Sequence, residues 1–187
     1  YEIDEQTIAI AIVGRLTAIK DHHFFLDVID KLYEDCKKKI KIFIVGDGDM
    51  KQEIEQRLIP MHNLGIDISL TSWIYDIAEF NAGMDIMCLT SKNEGTPVSL
   101  IEAQASNLPV VSTEVGGVAD IVEQNETGFI IPRTNKGEFV LKLKLLIEND
   151  ELRQKMKLKG WQNVYQKYSY QRLAKDIESY YQELLNH

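Results

Sequence analysis

Short β-branched runs alternate with amphipathic stretches along the first two thirds of the chain. Thr7–Val13 (TIAIAIV), Ile40–Val45 (IKIFIV), Ile66–Leu70, Asp85–Thr90, Pro109–Thr113 and Gly128–Pro132 read as strands. Most are nearly continuous apolar runs, the pattern of strands covered on both faces. Between them lie helical patterns: Phe24, Phe25, Val28, Ile29 and Leu32 on one face, then Met50–Met61, Asp76–Ala82, Val98–Ser106 and Val118–Glu123. Six strands alternating with helices predict an α/β fold, a Rossmann-like doubly wound parallel sheet, with ligands expected at the loops beyond the strands' carboxyl ends. After Pro132 only helical periodicity remains. Phe139, Leu143, Leu146 and Ile147 mark one helix and Glu151–Tyr168 supports another. A last stripe of Leu173, Ile177, Tyr180, Tyr181 and Leu184 follows at helical spacing. The reading is a single domain over 1–187, an α/β core over 1–132 with a helical tail over 133–187.

Composition changes this picture little. With 187 residues, 44% hydrophobic and 27% charged, the chain suits one globular domain. No apolar run approaches the roughly 18 residues of a membrane span. The chain begins at Tyr1 with no signal-peptide pattern, so it is expected to be cut from something longer. Cys36 and Cys88 lack CxxC spacing and read as inert reduced thiols, which suits a cytoplasmic protein. Residues 133–187 carry 11 Lys/Arg against 7 Asp/Glu, or +4, leaving 10 against 22, or −12, in the first 132. That acidic body argues against nucleic-acid binding, and the basic tail allows a weak attraction to an anionic membrane surface.

The candidate chemistry lies in the loops after the strands. After the first strand, Gly14 allows a tight turn, and Arg15 and Lys20 supply two cations suited to a pyrophosphate or, equally, two ordinary exposed charges. After the second, Val45–Asp49 (VGDGD) holds three alternatives. Gly46 and Gly48 are a partial dinucleotide-type glycine pair, Asp47 and Asp49 form a DxD metal-binding pattern, and the favoured reading is a glycine turn with Asp49 as helix N-cap. After the fourth, Ser91–Val111 reads SKNEGTPVSLIEAQASNLPVV. Thr96 is expected as N-cap with Pro97 at the first helical position, leaving the N–H groups of Val98, Ser99 and Leu100 free for phosphate oxygens. Glu94 and Glu102 flank that helix start. Ionised carboxylates only accept hydrogen bonds, so a ligand with a phosphate core and a diol on each side, a nucleotide sugar, satisfies the whole set. The plainer alternatives are a Glu94–Lys pair and a surface Glu102.

Glu94-GTPVSLI-Glu102-AQASNLPVV resembles the retaining glycosyltransferases of the GT-B architecture, family four, whose hallmark is E-x7-E followed by EA-x-A-x(3)-PVV. Gly14, Arg15 and Lys20, the VGDG of Val45–Gly48 and the VGG-x(2)-DIV-x(4)-TGF of Val115–Phe129 match the same family in the same order, closely over 8–132 and loosely in the tail. Two departures stand out: Asp21 where the family usually has Gly after the lysine, read here as an N-cap, and Ser72 before Trp73 where the family often has Gly.

The resemblance implies that Arg15 and Lys20 neutralise the donor diphosphate, Glu94 holds the hexose and Glu102 the ribose. It also implies that Gly95, Thr96 and the residues after Pro97 line sugar and phosphate, and that Ser72–Ile77, with Trp73 and Ile74, flanks the base mainly through backbone. No metal ion and no cofactor is expected. The implied function is the donor-binding domain of a hexosyltransferase in polysaccharide biosynthesis, taking an NDP-sugar, by default a UDP-sugar. The implied acceptor is a saccharide or lipid-linked glycan, and the implied place is the cytoplasm or the periphery of the inner membrane face. The N-terminal acceptor domain is absent from this chain, so the fragment alone is expected to be inactive, and the Leu173–Leu184 stripe is expected to contact that domain in part. The alternatives are a catalytically silent nucleotide-sugar-binding module, a metal-dependent DxD transferase, and a glycosidase using Glu94 and Glu102. The glycosidase leaves Arg15 and Lys20 unexplained.

Overall fold

The alternation Ile-Ala-Ile-Ala-Ile in the first strand sets the layering of the domain. In the computed structural model, which describes residues 3–185, strand β1 spans Ile8–Val13. Its large side chains, Ile8, Ile10 and Ile12, enter one apolar cluster, and its small ones, Ala9 and Ala11, enter a second on the opposite face. Successive side chains of a strand point to opposite faces, so one strand feeds both cores. The first cluster is completed by helices α1 (His22–Tyr33), α2 (Lys51–Asn63) and α6 (Lys136–Glu148). The second is completed by α3 (Ile77–Ala82), α4 (Val98–Ala105) and α5 (Val118–Ile121).

The remaining strands are β2 (Ile40–Val45), β3 (Ile68–Thr71), β4 (Ile86–Leu89), β5 (Val110–Thr113) and β6 (Gly128–Ile131). All pairs are parallel and the order is β3-β2-β1-β4-β5-β6. The expected six-stranded doubly wound α/β sheet is therefore present: β2 keeps its expected bounds, β3 is shifted toward Thr71, and the other four strands are one residue shorter at one or both ends. The winding direction reverses between β1 and β4, so their following loops part there and leave a crevice at the carboxyl edge of the sheet.

Helix α7 (Asp150–Tyr168) packs on α4 where Gly160 lies against Gln104; a Cβ at Gly160 would sit 3.3 Å from Gln104 Cγ. Gln104 and Asn163 both donate to the Ile121 carbonyl, tying α4 and α7 to α5. Helix α8 (Tyr170–Leu185) carries the expected apolar stripe, yet none of its residues is buried. No helix among the described residues is long and apolar enough to cross a membrane.

Candidate active site

The two loops beside the crevice are built from backbone held against backbone. Gly46 has φ +147°, and a Cβ there would fall 2.0 Å from the Gly14 carbonyl oxygen; a Cβ on Gly48 would fall 2.5 Å from the Leu16 carbonyl oxygen. The Gly-Asp-Gly segment thus presses its own chain onto the loop after β1, helped by Leu16 N–H to Asp47 O and Met50 N–H to Leu16 O. Leu16 is buried beneath, and Arg15 is left exposed with no side-chain partner among the described residues. Gly46 is buried against this loop, and its N–H donates to the Thr71 carbonyl at 3.2 Å.

Asp47 accepts from Gly48 N–H at 2.8 Å, Ser72 Oγ at 3.1 Å and Lys51 Nζ at 3.3 Å. The Gly48 N–H, then Ser72 and Lys51, hold its carboxyl below the usual range. Asp49 is exposed and is not the N-cap; Met50 occupies that position, because α2 begins at Lys51. Among the described residues no group of three or more His, Cys, Asp or Glu side chains is gathered in a way that could hold a metal ion.

Lys20 crosses over Gly14, whose added Cβ would lie 3.5 Å from Lys20 Cε, and its ammonium donates to Glu94 Oε1 at 2.6 Å. The same oxygen accepts from Ser91 Oγ at 2.5 Å. The plainer alternative for Glu94, a lysine pair, is therefore present in this structure. It does not exhaust either group: Glu94 Oε2 has no partner among the described residues, and an ammonium has three donors of which one is engaged there.

Asp21 follows Lys20 at the N-cap position of α1 with φ +51°, a left-handed conformation that explains a preference for glycine there. Its carboxylate does not cap the helix as expected. It accepts instead from Arg133 Nη2 at 2.7 Å. Arg133, on the loop after β6, also donates to the Thr90 carbonyl at 3.0 Å, and Thr90 Oγ1 donates to the Asp21 carbonyl at 3.0 Å. Sequence reasoning missed Arg133. Its one legible signal was a cation directly after the last strand, at the ligand-bearing edge.

The loop after β4 is steadied from the other side by the glycine pair before α5. Gly117 N–H donates to the carbonyls of Glu94 at 3.2 Å and Gly95 at 3.1 Å. At Gly95 nothing lies within 4 Å of where a Cβ would stand. Helix α4 begins one residue later than expected: Pro97 is the N-cap and Val98 the first helical residue, and Thr96 makes no capping bond. Leu100 N–H donates to the Pro97 carbonyl at 3.0 Å and its side chain is buried, so Leu100 does not offer a free N–H. Those of Gly95, Thr96, Val98 and Ser99 have no acceptor among the described residues.

Glu102 lies one turn beyond Val98 and Ser99, on the same side of α4 by helical spacing. It is half-buried and without a side-chain partner among the described residues, and burial pushes its carboxyl upward. Trp73 is exposed. The half-buried Ile74 side chain packs against the second apolar cluster and lines a groove with Ile3, Asp76, Phe80 and Met84.

The sequence profile described as "Glycosyl transferases group 1" matches residues 1–162. The amylovoran biosynthesis glycosyltransferase AmsD of Erwinia amylovora is 30% identical over 152 residues, 81% of this chain and 42% of that protein. Among solved structures, a Staphylococcus aureus TarM variant crystallised in complex with fondaparinux, alpha-GlcNAc-glycerol and UDP superposes with a TM-score of 0.84 at 22% identity. The match covers 96% of this chain and 37% of that one. The C-terminal domain of the group 1 family protein LpcC from Francisella tularensis has a TM-score of 0.77 at 24% identity, with 87% of each chain covered. The chain spans less than half the length of the curated relatives it matches. Residues 1–162 carry the profile and the six-stranded sheet matches GT-B structures, so this chain belongs to the group 1 glycosyl transferases.

Proposed function

We propose that this chain is the C-terminal, donor-binding half of a retaining hexosyltransferase of family four, taking a UDP-sugar and transferring the hexose to a saccharide or lipid-linked acceptor. The observation that carries this reading is the unsatisfied polar set around the start of α4. It comprises four free N–H groups, the free oxygen of Glu94 and the unpartnered carboxylate of Glu102. A half-buried carboxylate without donors is costly, and a ribose diol supplies the missing donors. The empty space beside Gly95 lets a sugar approach the backbone closely, a use of glycine that the fold itself does not require.

In this reading Arg15 is the principal diphosphate ligand, gripping two oxygens through its fork. Lys20 has a double task, holding Glu94 through one N–H and turning another to phosphate. When the glycosidic bond to the diphosphate breaks, its electron pair goes to a β-phosphate oxygen. The free N–H groups at the start of α4, Arg15 and Lys20 stabilise that charge without a metal ion. The acceptor's hydroxyl oxygen bonds to the anomeric carbon on the same face, and its proton passes to the departing phosphate. An N-terminal domain, meeting the exposed stripe of α8, would bring the acceptor, and the +4 tail suits a peripheral place at the cytoplasmic membrane face. AmsD is named for amylovoran biosynthesis and the TarM variant was crystallised with UDP, which supports this donor and acceptor class.

Calorimetry of the chain against UDP, GDP and ADP and their hexose conjugates tests the proposal. Binding of UDP-hexose at roughly 0.1–1 mM is expected, about −4 to −5.5 kcal/mol, weak because half the cleft lies on the other domain. No binding of any nucleotide sugar at several millimolar contradicts it.

A further inference from the structure

We infer that Arg133 is a positioning residue for Lys20 and Glu94, an inference that rests on the donor-binding reading for its consequence but not for its geometry. The two side chains that face each other across the crevice come from separate loops, 74 residues apart in sequence. Each loop is held at a second point by one guanidinium. Arg133 Nη2 donates to Asp21 Oδ2 at 2.7 Å, one residue after Lys20, and Nη1 donates to the carbonyls of Thr90 at 3.0 Å and Ser91 at 3.4 Å, three residues before Glu94.

A closed ring results. It runs from Arg133 to Asp21, along the chain to Lys20, across to Glu94, to Ser91 through Oγ, and back to Arg133 through the Ser91 carbonyl. Thr113 Oγ1 adds a bond to that carbonyl at 2.8 Å, and Thr90 Oγ1 donates to the Lys20 and Asp21 carbonyls at 3.2 and 3.0 Å. The Asp21 carboxylate is 13% exposed and the Arg133 side chain 29%, so the pair is only partly screened by water. The Arg133 guanidinium also lies over the Phe24 ring, 5.6 Å from its centre, which limits its swing.

The rigid planar fork serves the carboxylate and the carbonyls at once in a fixed geometry, which an ammonium with rotatable donors on a flexible stem does not impose. Arginine therefore sets the separation of the two loops, and through it the place of the Lys20 ammonium and of the free Glu94 oxygen. The device suits this chain because Asp21 stands in a left-handed position and supplies the carboxylate on which the fork closes.

The test is Arg133→Lys, which keeps the charge and removes the fork, with Asp21→Asn as a second variant that keeps the side-chain shape and removes the ion pair. Two readouts are taken on the 187-residue chain. The first needs no ligand: the nitrogen-15 signal of the Lys20 ammonium, assigned by its loss in Lys20→Arg, protected from exchange by the Glu94 bond. We expect it in the parent chain and its broadening beyond detection in both variants. The second is affinity for UDP-hexose and for UDP by calorimetry, with the melting temperature alongside. We expect at least a tenfold loss for UDP-hexose, a smaller loss for UDP, and a melting point lowered by only a few degrees.

An unchanged Lys20 signal in both variants overturns the inference, as does a parent chain with no protected Lys20 signal. A melting point that falls while affinity holds reduces Arg133 to a fold-stabilising residue, which also overturns it. If the parent chain binds no nucleotide sugar, the donor reading fails, and the Lys20 signal still decides whether Arg133 positions the pair.

Discussion

The backbone carbonyl of Glu94 occupies the space that a side chain on Gly116 would need: a Cβ there would lie 1.7 Å from the Glu94 oxygen. Gly116 also has φ +47°, so alanine is disfavoured twice, by contact and by conformation. Gly116→Ala should destabilise the domain by about 2–4 kcal/mol in urea unfolding, combining the left-handed penalty with overpacking. Gly95→Ala, one residue from Glu94, meets only open space and should leave stability unchanged while weakening UDP-hexose binding. Equal destabilisation by the two variants would contradict this division.

Asp21 combines a left-handed backbone with a shielded ion pair to Arg133. Asp21→Ala loses the pair and keeps the strain, whereas Asp21→Gly loses the pair and relieves the strain. Denaturant unfolding should therefore place the glycine variant about 1 kcal/mol above the alanine variant. Equal stabilities would mean that this backbone is not strained.

The aspartates of VGDGD are turn residues in this account, Asp47 clamped by Gly48, Ser72 and Lys51, and Asp49 exposed. Chelator should leave UDP-hexose affinity unchanged, and Asp49→Asn should alter neither affinity nor melting temperature. Loss of binding in chelator, restored by manganese, would favour the metal-dependent alternative.

A buried and a half-buried titratable group give opposite pH signatures. His22 is 2% exposed with both ring nitrogens unpartnered, and burial, with the neighbouring charges of His23 and Lys20, lowers its pKa from 6.5 to about 4, opposed by Asp21. The unfolded chain takes up that proton first as pH falls. Stability is then complete above pH 6.5 and declines toward pH 4, by on the order of 3 kcal/mol. His22→Leu should flatten that decline. Glu102, whose carboxyl is raised above 4.5, acts in the other sense: stability falls as pH rises through its folded value. Glu102→Gln should raise the melting temperature of the ligand-free chain at pH 7 and lose that advantage at pH 4. A decline from pH 6.5 that persists in His22→Leu, or no stabilisation by Glu102→Gln at pH 7, would contradict these assignments.

The sheet was legible because β1, β2, β4 and β5 are covered on both faces, which makes their sequences nearly continuous apolar runs. Arg15, Lys20 and Glu94 were legible as polar residues in the loops after β1 and β4, and Glu102 as a polar residue one turn into the helix that follows. Caps were misplaced at Asp49 and Thr96, since a capping residue is fixed by which carbonyl the helix accepts first, and the Pro97 carbonyl fills that role for α4. The Asp21–Arg133 pair joins residues 112 apart, and no local periodicity reports such a contact. The α8 stripe was read correctly as amphipathic, and none of its residues is buried.

The central claim is that Glu94 addresses the hexose and Glu102 the ribose, and one experiment reads both: calorimetric titration of Glu94→Gln and Glu102→Gln with UDP and with UDP-hexose. A carboxylate-to-hydroxyl bond contributes about 1.5–3 kcal/mol, at least a tenfold change in Kd. Glu102→Gln should weaken both ligands by that factor, because both contain the ribose. Glu94→Gln should remove the extra affinity of UDP-hexose over UDP and leave UDP itself within about twofold, since freeing the Lys20 ammonium does not harm its contact with phosphate. Normal UDP affinity in Glu102→Gln, or loss of UDP binding in Glu94→Gln, contradicts the account.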